Sequence, residues 1–226
     1  MSAARKPGRP VDLDLVERRR SAILDAAAKL FAAKGFAHAD TQELADTIEV
    51  SKGTIFRYFP TKRELFEASI QRSLDRLRQA VDAAADAVAD PLRKLLAAMT
   101  GYLRFFDENP EVVELLILER AEFKDRKSSY FDHKEKCTED DGWLLLLAGL
   151  IADGRFRNIP TERIKNVIGD LLYGTMFSNH MSGRTRALES QAHDLFDIVF
   201  HGLLTDAERS RGGLARYLPQ DAAGEV

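Results

Sequence analysis

The seven residues Lys52 to Tyr58, KGTIFRY, bring together two cations, a small hydroxyl side chain, a phenol and a glycine. Lys52 and Arg57 are suited to phosphates or guanine edges, Thr54 is small enough to sit against bases, and Tyr58 can donate to a phosphate oxygen. Gly53 offers no side chain where another backbone must come close. Ile55 and Phe59, four apart, would share the opposite face and pack inward, with Phe56 between the two faces. The charge distribution points the same way. Residues 1–63 hold 12 Lys or Arg against 8 Asp or Glu, and residues 64–226 hold 21 against 28, so a net +4 segment precedes a net −7 one. The chemistry implied is polyanion binding by the first quarter of the chain; the plainer alternative is an amphipathic connector with an exposed basic face.

Bond-making chemistry has little to work with. The sequence contains no nucleophile elbow, no phosphate-binding glycine loop and no HExxH motif. His133 and Cys137 are spaced i, i+4 but lack a third ligand. We therefore expect no enzyme activity, no metal and no cofactor. Cys137 is the single cysteine, which excludes an internal disulfide and suits a reducing compartment. The opening MSAARKPGRPVDLD lacks the apolar centre of a signal peptide, and the run LLLLAGLIA from Leu144 falls short of the roughly 20 residues a bilayer needs. A cytoplasmic protein without membrane contact is expected.

The elements needed to position these residues are all helical. A basic arm (1–17) precedes a helix from Arg18 whose apolar set Ile23, Ala26, Ala27, Leu30 and Phe31 ends at Gly35. Asp40 with Glu43 predicts a capping box for a second short helix carrying Leu44, Ala45 and Ile48. Ser51 is placed to cap a third, 52–59, which Pro60 ends. Thr61 with Glu64 predicts another box, starting a long helix from Lys62 that runs to about Val88. Asp90-Pro91, Asn109-Pro110, Thr138 before Asp141, and Pro160-Thr161 mark further helix starts. No alternating β pattern or internal repeat is present. The fold class is all-α: a three-helix helix-turn-helix domain (18–63, recognition helix about 52–59), then a helical bundle (64–206), about nine helices in total, with a loose tail (207–226).

The stretch GFAHADTQELADTIEVSKGTIFRYFPTKRELFEASI resembles the DNA-binding domain of TetR/AcrR-type regulators. The aromatic after Gly35, Thr41, Leu44-Ala45, Val50-Ser51, Lys52-Gly53-Thr54, Tyr58-Phe59, Lys62 and Leu65 carry the resemblance. It implies that Thr41, Lys52, Gly53, Thr54, Phe56, Tyr58 and Lys62 lie at or near DNA, Lys62 on a phosphate. With Gln42, Ser51 and Arg57 these form the expected interface, and Arg9 of the arm RKPGRP is a candidate for an A·T-rich minor groove. Two departures stand out: Glu49 replaces the family's usual turn glycine, so either the turn is reshaped or stability is lost there, and Phe56 replaces a frequent tyrosine.

Behind the head, Ile164, Ile168, Leu171, Leu172 and Thr175 on one helix and Leu188, Ala192, Leu195, Val199 and Leu203 on the next form apolar stripes suited to a four-helix homodimer interface, which the resemblance also implies. A dimer would read a two-fold symmetric, palindromic operator in double-stranded DNA. Tyr102, Phe105, Phe106, Leu116, Phe123, Tyr130, Trp143, Tyr173, Phe177 and His180 are candidates for an apolar effector pocket, although aromatics at helical spacing also serve as plain core. The resemblance implies that a small-molecule effector moves the long helix from Lys62 and changes the spacing of the two reading heads, and that repression is the usual outcome. The competing expectation is a rear domain that binds a protein partner or no ligand at all.

Overall fold

A computed structural model of the chain describes residues 13–124, 128–130, 142–183 and 187–212. Arg9 with the basic arm, the His133/Cys137 pair, Thr138, the acids Glu139, Asp140 and Asp141, and the tail from residue 213 lie outside the described residues. Among those described there are ten helices: α1 (Leu13–His38), α2 (Thr41–Thr47), α3 (Lys52–Tyr58), α4 (Lys62–Asp86), α5 (Pro91–Glu108), α6 (Pro110–Glu122), α7 (Gly142–Ala152), α8 (Thr161–Ser182), α9 (Leu188–Leu203) and α10 (Asp206–Ser210). The chain divides into two compact units, within Met1–Ser73 and within Leu74–Val226. The division falls inside α4 because its first turns, through Leu65, Phe66 and Ile70, are buried in the first unit.

In the first unit, α1 already includes Leu13, the first described residue, five residues ahead of Arg18. Gly35 interrupts it with φ 75° and ψ 163°, a conformation open to glycine at little cost. The chain then returns to helix, so that the Phe36 ring meets Phe66 at 5.2 Å. Ile23, Leu24, Ala27 and Phe31 join Leu44 and Ala45 of α2, Ile55 of α3, and Leu65, Phe66 and Ile70 of α4 in one buried core. Arg72 fastens α4 to α1 by a two-pronged pair with Asp25, at 2.7 and 2.9 Å.

The turn from α2 to α3 keeps its shape without a glycine. Val50 N–H donates to Ala45 O (2.9 Å) and Glu49 N–H to Asp46 O (3.3 Å), the paired bonds of a Schellman ending, whose following residue must be left-handed. Glu49 occupies that position at φ 54°. The strain is retained rather than relieved by reshaping. Glu49→Gly is therefore expected to raise stability by ~0.5–1 kcal/mol, less than the full left-handed penalty because glycine loses more entropy on folding. A urea midpoint that stays put or falls would contradict this account.

The first side-chain bond of most caps follows local sequence. Asp40 accepts from Gln42 N–H (2.8 Å), Ser51 from Thr54 N–H (3.1 Å), Thr61 from Glu64 N–H (3.1 Å) and Asp90 from Arg93 N–H (2.9 Å). The reciprocal half of the first expected box is replaced: Glu43 turns to the Lys34 ammonium at 2.7 Å. Asn109 does not cap α6. Its amide donates to Phe105 O (2.7 Å), closing α5, and its carbonyl oxygen accepts from Arg76 (3.0 Å).

In the second unit α5 is the central helix, packed against α6, α7, α8 and α9. Gly101 lets α5 approach the last turns of α4, since a Cβ there would lie 3.0 Å from Ala84 Cβ. The segment after α7 is pinned to the end of α9 by a Phe156–Leu204 bridge and by Thr205, which donates to Gly154 O (2.7 Å) and caps α10 through Glu208 N–H (3.2 Å). α10 thus forms where a loose tail is expected, and it places Glu208, 2% exposed, against Arg155. No helix among the described residues is long and apolar enough to cross a membrane.

Candidate nucleic-acid interface and effector region

Ile55 and Phe59 are buried and hold α3 on the head, so its opposite face is turned outward. That face carries Lys52, Gly53, Phe56 and Arg57, spaced i, i+1, i+4, i+5 along the helix. Phe56 is 36% exposed, a large apolar ring left at the surface. The Lys52 ammonium lies 3.5 Å from Asp40 Oδ1, a loose contact between exposed groups. Asp40 itself is held below the usual carboxylate range, first by the Gln42 amide and then by Lys52. The Arg57 guanidinium sits 5.7 Å from the centre of the Tyr58 ring, and Tyr58 is half-buried beside Phe59.

The other expected interface residues divide between surface and support. Gln42 is exposed at the head of α2 and bonds Asp46 Oδ1 at 2.8 Å. Ser51 and Thr54 are tied to each other, hydroxyl to hydroxyl, at 2.9 Å. Thr41 is buried, at 6% exposure. Lys62 donates to Ala37 O (3.1 Å) and lies 5.3 Å from the Phe36 ring centre, so it also closes the end of α1. The sequence showed no sign of that second task, because the 25-residue separation is bridged only in three dimensions. Lys62→Ala should cost on the order of 1 kcal/mol of stability besides any effect on DNA, which makes Lys52 the cleaner probe.

In the second unit the candidate effector residues fall into one aromatic chain and some separate members. Tyr102 meets Phe106 at a tilt (5.0 Å), Phe106 meets Phe105 edge-on (5.4 Å), and Tyr130 contacts Tyr173 (4.9 Å), which contacts Phe177 (4.8 Å). The hydroxyls of Tyr102 and Tyr130 join the two halves at 3.0 Å. Burial pushes the Tyr130 phenol up to about 12 and raises Tyr102 well above its ordinary value. Both are neutral hydrogen-bonding groups. His180 bonds Glu114 Oε1 at 2.6 Å, Leu116 is buried in α6, Phe123 ends α6, and Trp143 is half-buried at the start of α7.

The candidate dimer residues also divide. Two open grooves run along α8 and α9. One, of about 440 Å³, is lined by Thr175 and Leu195 among others; the second, of about 490 Å³, by Ile164, Ile168 and Leu203; Leu171 and Val199 line both. Leu172, Leu188 and Ala192 are buried and line neither.

Residues 23–69 match the family described as "Bacterial regulatory proteins, tetR family". The chain belongs to the TetR family. This TetR-family chain is 28% identical over 84% of its length, and 82% of that relative's, to the transcriptional repressor KstR of Mycobacterium tuberculosis. It is 31% identical to the transcriptional activator FasR of Mycolicibacterium smegmatis over 44% of this chain, spanning only about half of that relative, 46%. A solved TetR-family regulator from Pectobacterium atrosepticum superposes with TM-score 0.65 at 18% identity, covering 87% of this chain and 99% of that one, which shows a common fold. The chain is thus a DNA-binding transcriptional regulator and not an enzyme. What the sequence missed in this TetR-family protein is Ile198, 74% exposed on the outermost part of the α8–α9 face; Val167, 52% exposed there, belongs to the apolar face legible in the sequence of α8. Ile198 falls outside the apolar stripe of α9, and only its position beside Leu171 on the grooved face gives it a context.

Proposed function

We propose that this TetR-family chain binds a palindromic operator as a homodimer in the cytoplasm, and that it is a repressor released by a small, neutral, apolar effector. The observation that carries the DNA contact is the outward face of α3, and Gly53 is its most telling residue. A Cβ at Gly53 would meet nothing closer than Ser51 Oγ at 3.8 Å, an ordinary contact. The protein itself has no steric need for glycine there, yet a glycine near the start of a helix sacrifices up to ~1 kcal/mol relative to alanine. Close approach of DNA backbone supplies the missing reason. Gly53→Ala should therefore stabilise the protein by up to ~1 kcal/mol while weakening operator binding; unchanged binding in a stabilised variant would remove this argument. The effector reading rests on the aromatic chain with its neutral Tyr102–Tyr130 hydroxyl pair, which suits an apolar molecule bearing one hydrogen-bonding group.

The test is fluorescence anisotropy of the full chain on DNA from upstream of its own gene, at two salt concentrations and with a panel of apolar and cationic compounds. Tight binding that weakens with salt and is abolished by one compound supports the whole proposal. Lys52→Ala should weaken binding and lower the salt slope by about one; an unaltered slope would remove Lys52 from the phosphate contacts. Tight binding indifferent to every compound would point instead to control by a protein partner or to no effector.

A further inference from the structure

Lys52 opens the outward face of α3, and Asp40 is its one partner among the described residues, with Oδ1 3.5 Å from the ammonium. The contact does little for the fold, since both side chains are well exposed, at 44% and 63%, and pairs of that kind are worth almost nothing in water. The structural duty of Asp40 is the α2 cap, where the same oxygen accepts from Gln42 N–H at 2.8 Å. An uncharged Asn or Ser would cap as well. The remaining acids of α2 are engaged elsewhere, Glu43 with Lys34 and Asp46 with Gln42. Asp40 thus sets a negative charge inside the basic face. Its carboxyl is kept below the usual range first by the Gln42 amide and then by Lys52 and Lys62, so it is charged at neutral pH.

We infer that Asp40 is a specificity-determining residue of the DNA-binding head: its charge holds Lys52 back from phosphates and so lowers sequence-independent binding more than operator binding. The inference rests on the reading of the α3 face as the DNA contact. Sequence-independent affinity comes almost entirely from cations meeting phosphates, and a carboxylate among those cations subtracts from it wherever the chain lands. On the operator the helix seats fully, and Lys52 meets an acceptor in a fixed place, a phosphate or a guanine edge. An ammonium has three N–H donors, so there it can keep Asp40 and donate to the DNA as well, the carboxylate then aiming the lysine. The penalty applies on all DNA and is partly recovered on one sequence. Because a genome offers a vast excess of competing sites, that difference matters more than tight binding itself.

Fluorescence anisotropy of the full chain on two duplexes tests this, one of random sequence and one selected from a random pool by the wild-type chain. Asp40→Asn and Asp40→Ser should each raise affinity for the random duplex about 3-fold or more at low salt, with a smaller gain on the selected duplex, so that the ratio of the two affinities falls. The gain on random DNA should shrink as salt rises and drop below about 2-fold in a Lys52→Ala background. Urea midpoints should stay at the wild-type value, because Asp, Asn and Ser all cap; a residue that served only as a cap would leave binding unchanged too. Where Lys52→Ala weakens binding, unchanged affinity of both Asp40 variants for random DNA, or an equal gain on both duplexes, would overturn the role of Asp40 and leave the α3 reading standing. A Lys52→Ala chain that binds both duplexes like the wild type, or a wild-type chain that enriches no sequence, would overturn the reading beneath it, and the inference with it.

Discussion

Phe66→Ala is expected to cost ~3–5 kcal/mol and to abolish operator binding, although Phe66 never reaches the surface. The ring is fully buried, meets Phe31 edge-on at 5.0 Å and Phe36 at 5.2 Å, and so ties the first turns of α4 to both parts of α1 around the Gly35 interruption. Removal loses the transfer energy of the ring and leaves a cavity among residues that already pack closely. Against a typical total stability of ~5–15 kcal/mol, a loss of that size puts the folded head at risk at growth temperature. Phe66→Leu, which retains most of the volume, should cost markedly less. Urea unfolding of both variants, beside anisotropy on operator DNA, checks the ordering. An alanine variant with a near wild-type midpoint would mean that the aromatic cluster is not what holds the head together.

The second large effect is expected at Arg155. Its guanidinium, 13% exposed, reaches Asp90 Oδ2 at 2.8 Å and Glu208 Oε1 at 3.4 Å, and so joins the start of α5 to α10. Glu208 retains a second partner in Arg211 at 3.1 Å, but that arginine is largely exposed. Arg155→Met leaves two carboxylates without their shared cation, one of them buried, and should cost ~2–4 kcal/mol. Adding Glu208→Gln to the methionine variant should recover part of the loss, because the buried charge disappears. A double variant no more stable than the single would show that the buried charge is not the origin of the cost.

The same site sets an acid limb. Burial works to raise the Asp90 carboxyl, but the bond from Arg155 and the amide cap from Arg93 outweigh it and hold the group below its ordinary value. A depressed carboxylate contributes stability that is fully present above its unfolded value of about 4 and is lost as the pH falls towards the lower folded value. The wild type should therefore lose stability on acidification below about pH 5, and Arg155→Met should lose less over the same interval. Parallel acid limbs in the two proteins would remove Arg155 as the cause.

Features whose physics is complete within four or five residues are legible in the sequence itself. Ser51, Thr61 and Asp90 cap the helices that follow them because a short side-chain oxygen next to a free amide needs no distant partner. Gly35 breaks the helix where its freedom at positive φ was expected to. Ile55 and Phe59 face inward because helical spacing alone puts them together. Glu49 was readable as a position in tension, though not how the tension resolves; the Schellman bonds back to α2 keep it left-handed.

Where a side chain had a choice of partners, only tertiary structure made it. Glu43 prefers Lys34 of α1 to its own helix start, Asn109 closes α5 while receiving Arg76 from α4, and Lys62 serves the end of α1. The apolar stripes of α8 and α9 were plain in the sequence, but periodicity cannot tell a residue that faces its own bundle, such as Leu172 or Ala192, from one that lines an open groove, such as Leu171 or Leu195. By itself the sequence determined an all-helical regulator with a basic reading head, because helix period, capping and charge are local or additive quantities. Tertiary structure alone decided which apolar face stays open and which charges share a site, because those depend on neighbours tens of residues away along the chain.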